Sequence, residues 1–461
     1  MVRWGMENIS QTVLDRFRRA IQHQTCWIDD GDTDPAGEAE AERRLGEFQN
    51  FLVTAYPHFH RVAERYPLSP FGVAYRWPGK GGTTERPILF LSHYDVVPAE
   101  REKWTTDPFS AELREGFIYG RGTLDTKNTL ISCMEAAEAL VSEGFSPASD
   151  IWFAFGGDEE RSGQRGAKNT AMWFKERGIR FSWALDEGSI VTQGILKGID
   201  KPLALIGVEE KGFLDIQLSV AQAPGHASRP PKEQAVAILA QALVRLAKKP
   251  FPYHLTAPVE SFFSSLADFY RPPVSWIMKR ARALGPLFFT LAATTPETTA
   301  LLRTTVAMTQ LKGSSADNIL PSEAQAILNL RLLSPWTVDS AVAYVQGVIH
   351  DPRVSVTVSP LRAANDPVDA TAAVAGGKGS GWREISTAVS AVFPDAAVLP
   401  FLVTATTDSR YYAELCDAVY RFGPLVLDAQ ELARIHGHDE RISLENLGAG
   451  IRWYTELLGT L

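Results

Sequence analysis

The 461-residue chain has little with which to staple itself, cross a membrane or bind a polyanion. Its three cysteines, Cys26, Cys133 and Cys416, are odd in number and far apart. Neither a disulfide framework nor a CxxC zinc knuckle is expected, and a reducing, cytoplasmic setting fits. No lysine-arginine run occurs, and 54 acidic against 46 basic side chains give a net charge of −8. Such a chain offers no electrostatic footprint to a phosphate backbone, which argues against nucleic acid as a partner; metal cations match it better. Long apolar runs are missing too. The longest uncharged candidate, residues 283–296, is shorter than the about 20 residues of a bilayer span and contains Gly285 and Pro286, so no transmembrane segment is expected. Residues 1–25 mix Arg3, Glu7, Asp15, Arg16, Arg18 and Arg19 among apolar positions and read as a first helix rather than a secretory signal.

What is present is an ordinary globular composition, 45% hydrophobic and 22% charged, in a chain long enough for two or three domains at about 150 residues each. The first half alternates short apolar runs with helical patterns, as βαβ units around a largely parallel sheet do. Residues 87–92 (PILFLS), 151–155 and 181–185 read as buried strands. Leu130, Ile131, Met134, Ala137, Leu140 and Val141 share a helical face that Gly144 ends, and a further helix covers about 167–177. After Val208 to Gly212 (VEEKG) the pattern changes: Leu214, Ile216, Leu218 and Val220 alternate as in a strand with one solvated face. A helix over 233–248, an alternating strand through Ala326, Leu328, Leu330 and Leu332, a helix over 338–349 and a strand over 354–358 complete a small open-faced α/β sandwich. Within it, residues 259–299 read as a helical hairpin packed on the sandwich; the alternative is an apolar face lining a channel for a greasy substrate or touching a membrane. Gly376, Gly377, Gly379 and Gly381 follow no strand, so a flexible linker is expected there and not a phosphate loop, before a helix over 382–392 and a last helix after Ser443.

The informative feature is where acids and histidines fall. His93-Tyr94-Asp95 follows the first buried strand, Asp158-Glu159-Glu160 the second and Asp186-Glu187 the third. In open α/β sheets this carboxyl edge is where ligands bind. Asp125, in Gly120 to Lys127 (GRGTLDTK), taken alone would be an ordinary helix N-cap. Together, one histidine and several carboxylates make a site suited to zinc or a similar divalent ion, because without a cation the buried carboxylates would repel one another and raise their own pKa values. His93 and Asp95 share a face in an extended segment, so Asp95 can accept the second imidazole N–H. Glu159 and Glu160 point apart, so one can ligate while the other acts as a base. A further ligand is expected from Ile435 to Arg441 (IHGHDER), which offers two histidines, whereas His23, His58, His60, His254 and His350 lack such context.

The order HxD, GRGTxDxK, GDEE, DEG, GHASxP, DNILP, NxR, TDSR and HGxxER, spread over about residues 87–446, resembles the dizinc amidohydrolase and carboxypeptidase family of glutamate carboxypeptidase, aminoacylase and carboxypeptidase S, and within it carboxypeptidase S and the secreted hydrolases of N-fatty-acyl amino acids. The resemblance implies a zinc-exopeptidase-like α/β catalytic domain with a mostly parallel sheet, over residues 1–207 and 362–461. Into it is inserted a ferredoxin-like lid, or dimerisation, domain over 208–361 with a helical insertion at about 259–299. It implies two zinc ions, with cobalt or manganese as substitutes. Asp125 would bridge them, His93 and Asp186 would complete one, and Glu160 and His436 the other. Glu187 and His438 stand beside two of these as alternatives, and Thr126 sits where many relatives carry an acid or asparagine. Glu159 would be the general base, Asp95 would orient His93, and His226 would stabilise the oxyanion. Asn318, Arg331 and Arg410 would bind substrate.

The expected activity is hydrolysis of the amide bond of an N-acyl amino acid. The rival within enzymes is a carboxypeptidase or di- or tripeptidase acting on short peptides with a free carboxylate. A non-catalytic binding protein that keeps the fold would be expected to have lost a ligand or the base, and none is lost here. A homodimer through the lid sheet, with His226 serving its own chain or its partner's, is left open.

Overall fold

The computed structural model describes residues 9–27, 35–81, 85–196, 198–360, 362–370 and 377–461. It falls into two compact units, one of residues 1–208, 370–401 and 407–461, the other of 209–369 and 402–406. The chain first forms β1 (Glu64–Ser69), β2 (Gly72–Trp77), β3 (Ile88–His93), α1 (Lys127–Ser142), β4 (Ile151–Gly156), α2 (Ala167–Glu176), β5 (Trp183–Asp186), β6 (Val191–Thr192) and β7 (Leu203–Glu210). It continues with β8 (Gly212–Ala221), α3 (Ala235–Lys248), β9 (Thr305–Lys312), β10 (Glu323–Leu332), α4 (Val338–Ile349) and β11 (Ser355–Val358). It ends with α5 (Trp382–Val392), β12 (Ala397–Val403), β13 (Val419–Arg421), β14 (Val426–Leu427) and α6 (Leu444–Gly459).

The larger unit is built on a ten-stranded sheet in the order β1-β2-β4-β3-β5-β13-β7-β6-β14, with β12 beside β7. Its centre, β4-β3-β5-β13, is parallel. Every residue of β3 and β4 is buried, which is why these strands read as unbroken apolar runs and not as alternations. On α1, Leu130, Ile131, Met134 and Ala137 are buried, and the helix stops where Gly144 takes φ +81° and Phe145 N donates to Leu140 O. Helix α6 packs close to α1 because Gly450 carries no side chain: a Cβ there would lie 2.9 Å from Ser132 Oγ. The first helix is observed over Gln11–Gln22, capped by Ser10; residues 1–8 of the expected helix lie outside the described residues.

The smaller unit carries a four-stranded antiparallel sheet in the order β9-β10-β8-β11, with α3 following β8 and α4 following β10. This is the βαββαβ succession of ferredoxin-like folds. Leu214, Ile216 and Leu218 of β8 and Leu328, Leu330 and Leu332 of β10 form one core with Leu239 of α3 and Val345 of α4. The intervening residues Asp215 and Asn329 pair across the other face, Asn329 Nδ2 donating to Asp215 Oδ1 at 2.7 Å.

Two expectations need correction. The segment over 259–299 is not a hairpin but four short helices, Ala257–Leu266, Val274–Met278, Gly285–Ala292 and Pro296–Leu302. Pro272-Pro273, Gly285-Pro286 and Pro296 restart the chain each time, because proline fits only the first turn of a helix. The glycine-rich segment is also not simply a flexible linker. Gly376 lies outside the described residues, but Gly377 packs on Trp382 and Gly381, at φ +85°, on the Trp183 ring.

That close approach makes Gly381 costly to replace. Gly381→Ala puts a Cβ at 2.6 Å from Trp183 Cδ2 in a left-handed backbone and is expected to destabilise the protein by about 2–4 kcal/mol. Gly46→Ala, inside the helix Pro35–Ala55 with nothing within 4 Å of its Cβ position, is expected to stabilise by about 0.5–1 kcal/mol. Urea midpoints at constant slope check both.

Candidate metal centre

Strand β3 delivers His93 to the carboxyl edge of the sheet, with its side chain 1% exposed. Its Nδ1 faces Asp95, 3.0 Å from the backbone oxygen and 3.3 Å from Oδ1, so Nε2 points the other way. There Nε2 lies 3.0 Å from Asp125 Oδ1 and 3.1 Å from Glu187 Oε1. Asp95 does a second job: its two carboxylate oxygens accept the backbone N–H groups of Glu159 and Glu160, each at 3.1 Å. One buried carboxylate thus sets both the ring of His93 and the turn Glu159–Arg161 that presents the two glutamates.

A second group forms on the other oxygen of Asp125. His436 Nε2 lies 3.0 Å from Asp125 Oδ2 and 3.2 Å from Glu160 Oε1. His438 points elsewhere, its Nε2 3.9 Å from Glu100. His93, Asp125 and Glu187 form one cluster of ligand atoms within 4.8 Å of one another, and Asp125, Glu160 and His436 form another, so Asp125 belongs to both.

Asp186, expected to complete the first group, is not among the residues of that cluster, and its neighbour Glu187 is. Asp186 Oδ1 accepts from Glu187 N at 2.9 Å and Oδ2 from Ser409 N at 2.8 Å, so this carboxylate braces the backbone while Glu187 reaches His93. Thr126 stays out of the clusters, donating to Thr129 Oγ1 at 3.1 Å. Arg410 donates to the carbonyls of Thr407 and Ser162 at 2.8 and 2.9 Å, tying its turn to the one that follows the glutamates. His226, Asn318 and Arg331 belong to the smaller unit. His226 pairs in a short two-strand ladder with Ile319, and Ala227 N donates to Asn318 O at 2.9 Å, so the histidine and asparagine segments run side by side. Arg331 on β10 holds its guanidinium 5.0 Å over the Phe213 ring.

One further residue shapes the site. Glu440, fully buried, accepts from the backbone N–H groups of Gly122, Leu124 and Asp125 at 3.1, 2.7 and 3.2 Å and pairs with Arg121 at 2.7 Å. Arg121 in turn donates to His436 O at 3.3 Å. Glu440 therefore fixes the loop that carries Asp125 and joins it to the segment that carries His436. The only trace in the sequence is an acid four residues after that histidine.

The electrostatics follow from this crowding. Burial would discharge His93, but Glu187, Asp125 and Asp95 hold its pKa well above the usual histidine value. His436 is pushed up to about 10 by Asp125 and Glu160. Burial pushes Asp125 upward, yet the two histidines hold it well below the usual carboxylate range. Glu187, buried beside Asp125, is pushed up to about 7, and burial with neighbouring Asp408 and Glu160 raises Glu159 well above its ordinary value. The donor sets suit a divalent ion. Each has one imidazole nitrogen and two carboxylates, and tetrahedral coordination at 2.0–2.1 Å would place ligand atoms about 3.3 Å apart, close to the 3.0–3.2 Å observed. Three protein ligands per ion would leave one position open, as at catalytic sites.

A sequence profile of peptidase family M20/M25/M40 matches residues 89–460. The N-fatty-acyl-amino acid synthase/hydrolase PM20D1 of Mus musculus is 32% identical over 424 residues, covering 90% of this chain and 82% of its own. The probable carboxypeptidase S-like 2 of Dictyostelium discoideum is 32% identical over 449 residues, covering 97% and 84%. Among solved structures, the M20 family metallo-carboxypeptidase Sso-CP2 from Sulfolobus solfataricus shares the fold with a TM-score of 0.69 at 16% identity, covering 98% of this chain and 99% of its own. Human carnosine dipeptidase 1 does so at 0.64 and 14%, covering 97% and 96%.

Because both histidines are held protonated near neutral pH, an incoming divalent ion must displace their protons. Its affinity is therefore expected to rise with pH until His436 deprotonates near 10, and binding at pH 7 should release protons. Calorimetry in buffers of different ionisation enthalpy measures this; equal heats in all buffers would contradict it. Glu187→Gln should weaken binding of one ion about 100-fold or more, and Asp186→Asn less than that, as metal titrations of the two variants would show.

Proposed function

The chain belongs to peptidase family M20/M25/M40, and on that premise we propose that it is a dizinc hydrolase that cleaves the amide bond of N-acyl amino acids and releases the free amino acid. The observation that carries the metal assignment is the two-sided reach of Asp125, one oxygen 3.0 Å from His93 and the other 3.0 Å from His436. His93, Asp125 and Glu187 would hold one ion, and Asp125, Glu160 and His436 the other. Bound zinc would supply Lewis acidity, polarising the scissile carbonyl and making water a nucleophile near neutral pH.

The rest falls to the protein's own groups. Glu159 follows Asp158 in the same turn as Glu160, and its carboxylate is not part of either ligand cluster. It takes the proton of the attacking water and passes it to the departing amine nitrogen. Asp95 keeps His93 oriented through Nδ1. His226 would donate to the developing oxyanion, while Asn318, Arg331 and Arg410 would bind the substrate, an arginine fork suiting a free carboxylate.

For the acyl group, support comes from the apolar helices inserted in the smaller unit, where Phe262, Phe263 and Phe288 are buried, and from the name of the mouse relative. The name of the Dictyostelium relative keeps a carboxypeptidase or dipeptidase as the second reading. Support for a homodimer comes from β9, an edge strand that exposes Met308 and Leu311. The three free thiols favour a reducing, cytoplasmic setting.

Glu159→Gln is expected to lower kcat about 100-fold to 10,000-fold with metal content unchanged, measured on zinc-loaded protein. Unchanged turnover would remove Glu159 from the mechanism. Rates across an acyl-chain series and a dipeptide series should favour longer acyl chains; a flat or falling acyl series would move the assignment to peptides.

A further inference from the structure

Between Asp268 and Glu297 the sequence carries Arg271, Lys279, Arg280 and Arg282 and no acid, in a chain whose net charge is −8. The stretch holds the helices Val274–Met278 and Gly285–Ala292. Lys279 N to Ser275 O, Leu284 N to Arg280 O and Phe288 N to Leu284 O keep the connection close to helical. Ile277, Ala281, Phe288 and Ala292 are buried. Trp276, Arg280, Ala283 and Leu287, spaced i, i+4, i+7 and i+11, are exposed, with Trp276 at 49% and Leu287 at 53%. The Arg280 guanidinium lies 4.9 Å over the Trp276 ring. Lys279 and Arg282 pair with Asp268 and Glu260 at 2.7 and 2.6 Å, whereas among the described residues Arg271 and Arg280 have no carboxylate partner.

We propose that this face is a docking surface for an anionic lipid bilayer, with Trp276 and Leu287 entering the headgroup boundary and Arg271 and Arg280 meeting lipid phosphates. Large apolar side chains flanked by cations are what such a boundary accepts, and indole is suited to a half-wet position. A second copy of the chain is a poorer occupant, because a symmetric contact would set the same cations against each other. The charge is complementary to an anionic surface and opposite in sign to that of the chain as a whole. This inference concerns a surface and stands apart from the choice of substrate.

The test is co-sedimentation of the full chain with vesicles of phosphatidylcholine, with and without phosphatidylglycerol. Binding to the anionic vesicles should exceed that to the neutral ones by about tenfold or more and weaken with added salt. Arg271→Glu with Arg280→Glu, and separately Trp276→Ala with Leu287→Ala, should each lower it about tenfold or more. Thermal melts and turnover of a water-soluble short-chain substrate should be unchanged by either pair. No sedimentation with anionic vesicles at low salt, or variants that bind like the parent, would overturn the proposal. So would concentration-dependent self-association, or binding to an acidic polypeptide but not to lipid, that the same substitutions abolish.

Discussion

Everything at the carboxyl edge of the large sheet is arranged around charges of one sign brought too close together. Asp125, Glu160 and Glu187 converge on two imidazoles, with Glu159 and Asp408 close behind. Without compensation, burial forces such acids to take up protons, and Glu187, Glu160 and Glu159 are all driven in that direction. The histidines offset part of this by holding protons of their own. A shared carboxylate between two donor sets is a geometry that divalent ions relieve and protons relieve only partly. The rigid parts of the unit keep that conflict from dispersing: fully buried strands, a helix packed on α6 at a glycine, and backbone amides aimed at Asp95, Asp186 and Glu440.

Much of this was legible in the sequence because strand ends are easy to read. An unbroken apolar run such as residues 88–92 must be a doubly covered strand, so the first polar residues after it must lie at the sheet's edge. The helix over 382–392 appears with the bounds that its apolar spacing implies. The choice between Asp186 and Glu187 was not legible in the same way. Asp186 is the last residue of β5 and Glu187 lies just past it, where the two-residue alternation no longer dictates direction; the amide of Ser409, 223 residues away, captures Asp186. Pattern alone favours His436 over His438; in the structure His436 faces Asp125 and Glu160 from a left-handed backbone, φ +59°, that no local propensity announces.

The inserted segment is illegible in the sequence for a different reason. Its composition is helical and apolar, so periodicity favours a hairpin, but each proline resets the helix and leaves pieces of five to ten residues. Such pieces are stable only through packing, and their exposed sides follow the neighbours they find and not an intrinsic amphipathic plan. The stripe of Trp276, Arg280 and Leu287 becomes visible only when the burial of Ile277 and Phe288 is known.

Glu440 carries a consequence for how the protein comes into being. Its carboxylate grips the amides of Gly122, Leu124 and Asp125, and His436 sits four residues before it, yet both are made more than 300 residues after that loop. A growing chain therefore has His93, Asp125 and Glu187 but neither the brace that shapes the Asp125 loop nor His436. The paired donor sets can thus come together only after the chain has been made past Glu440.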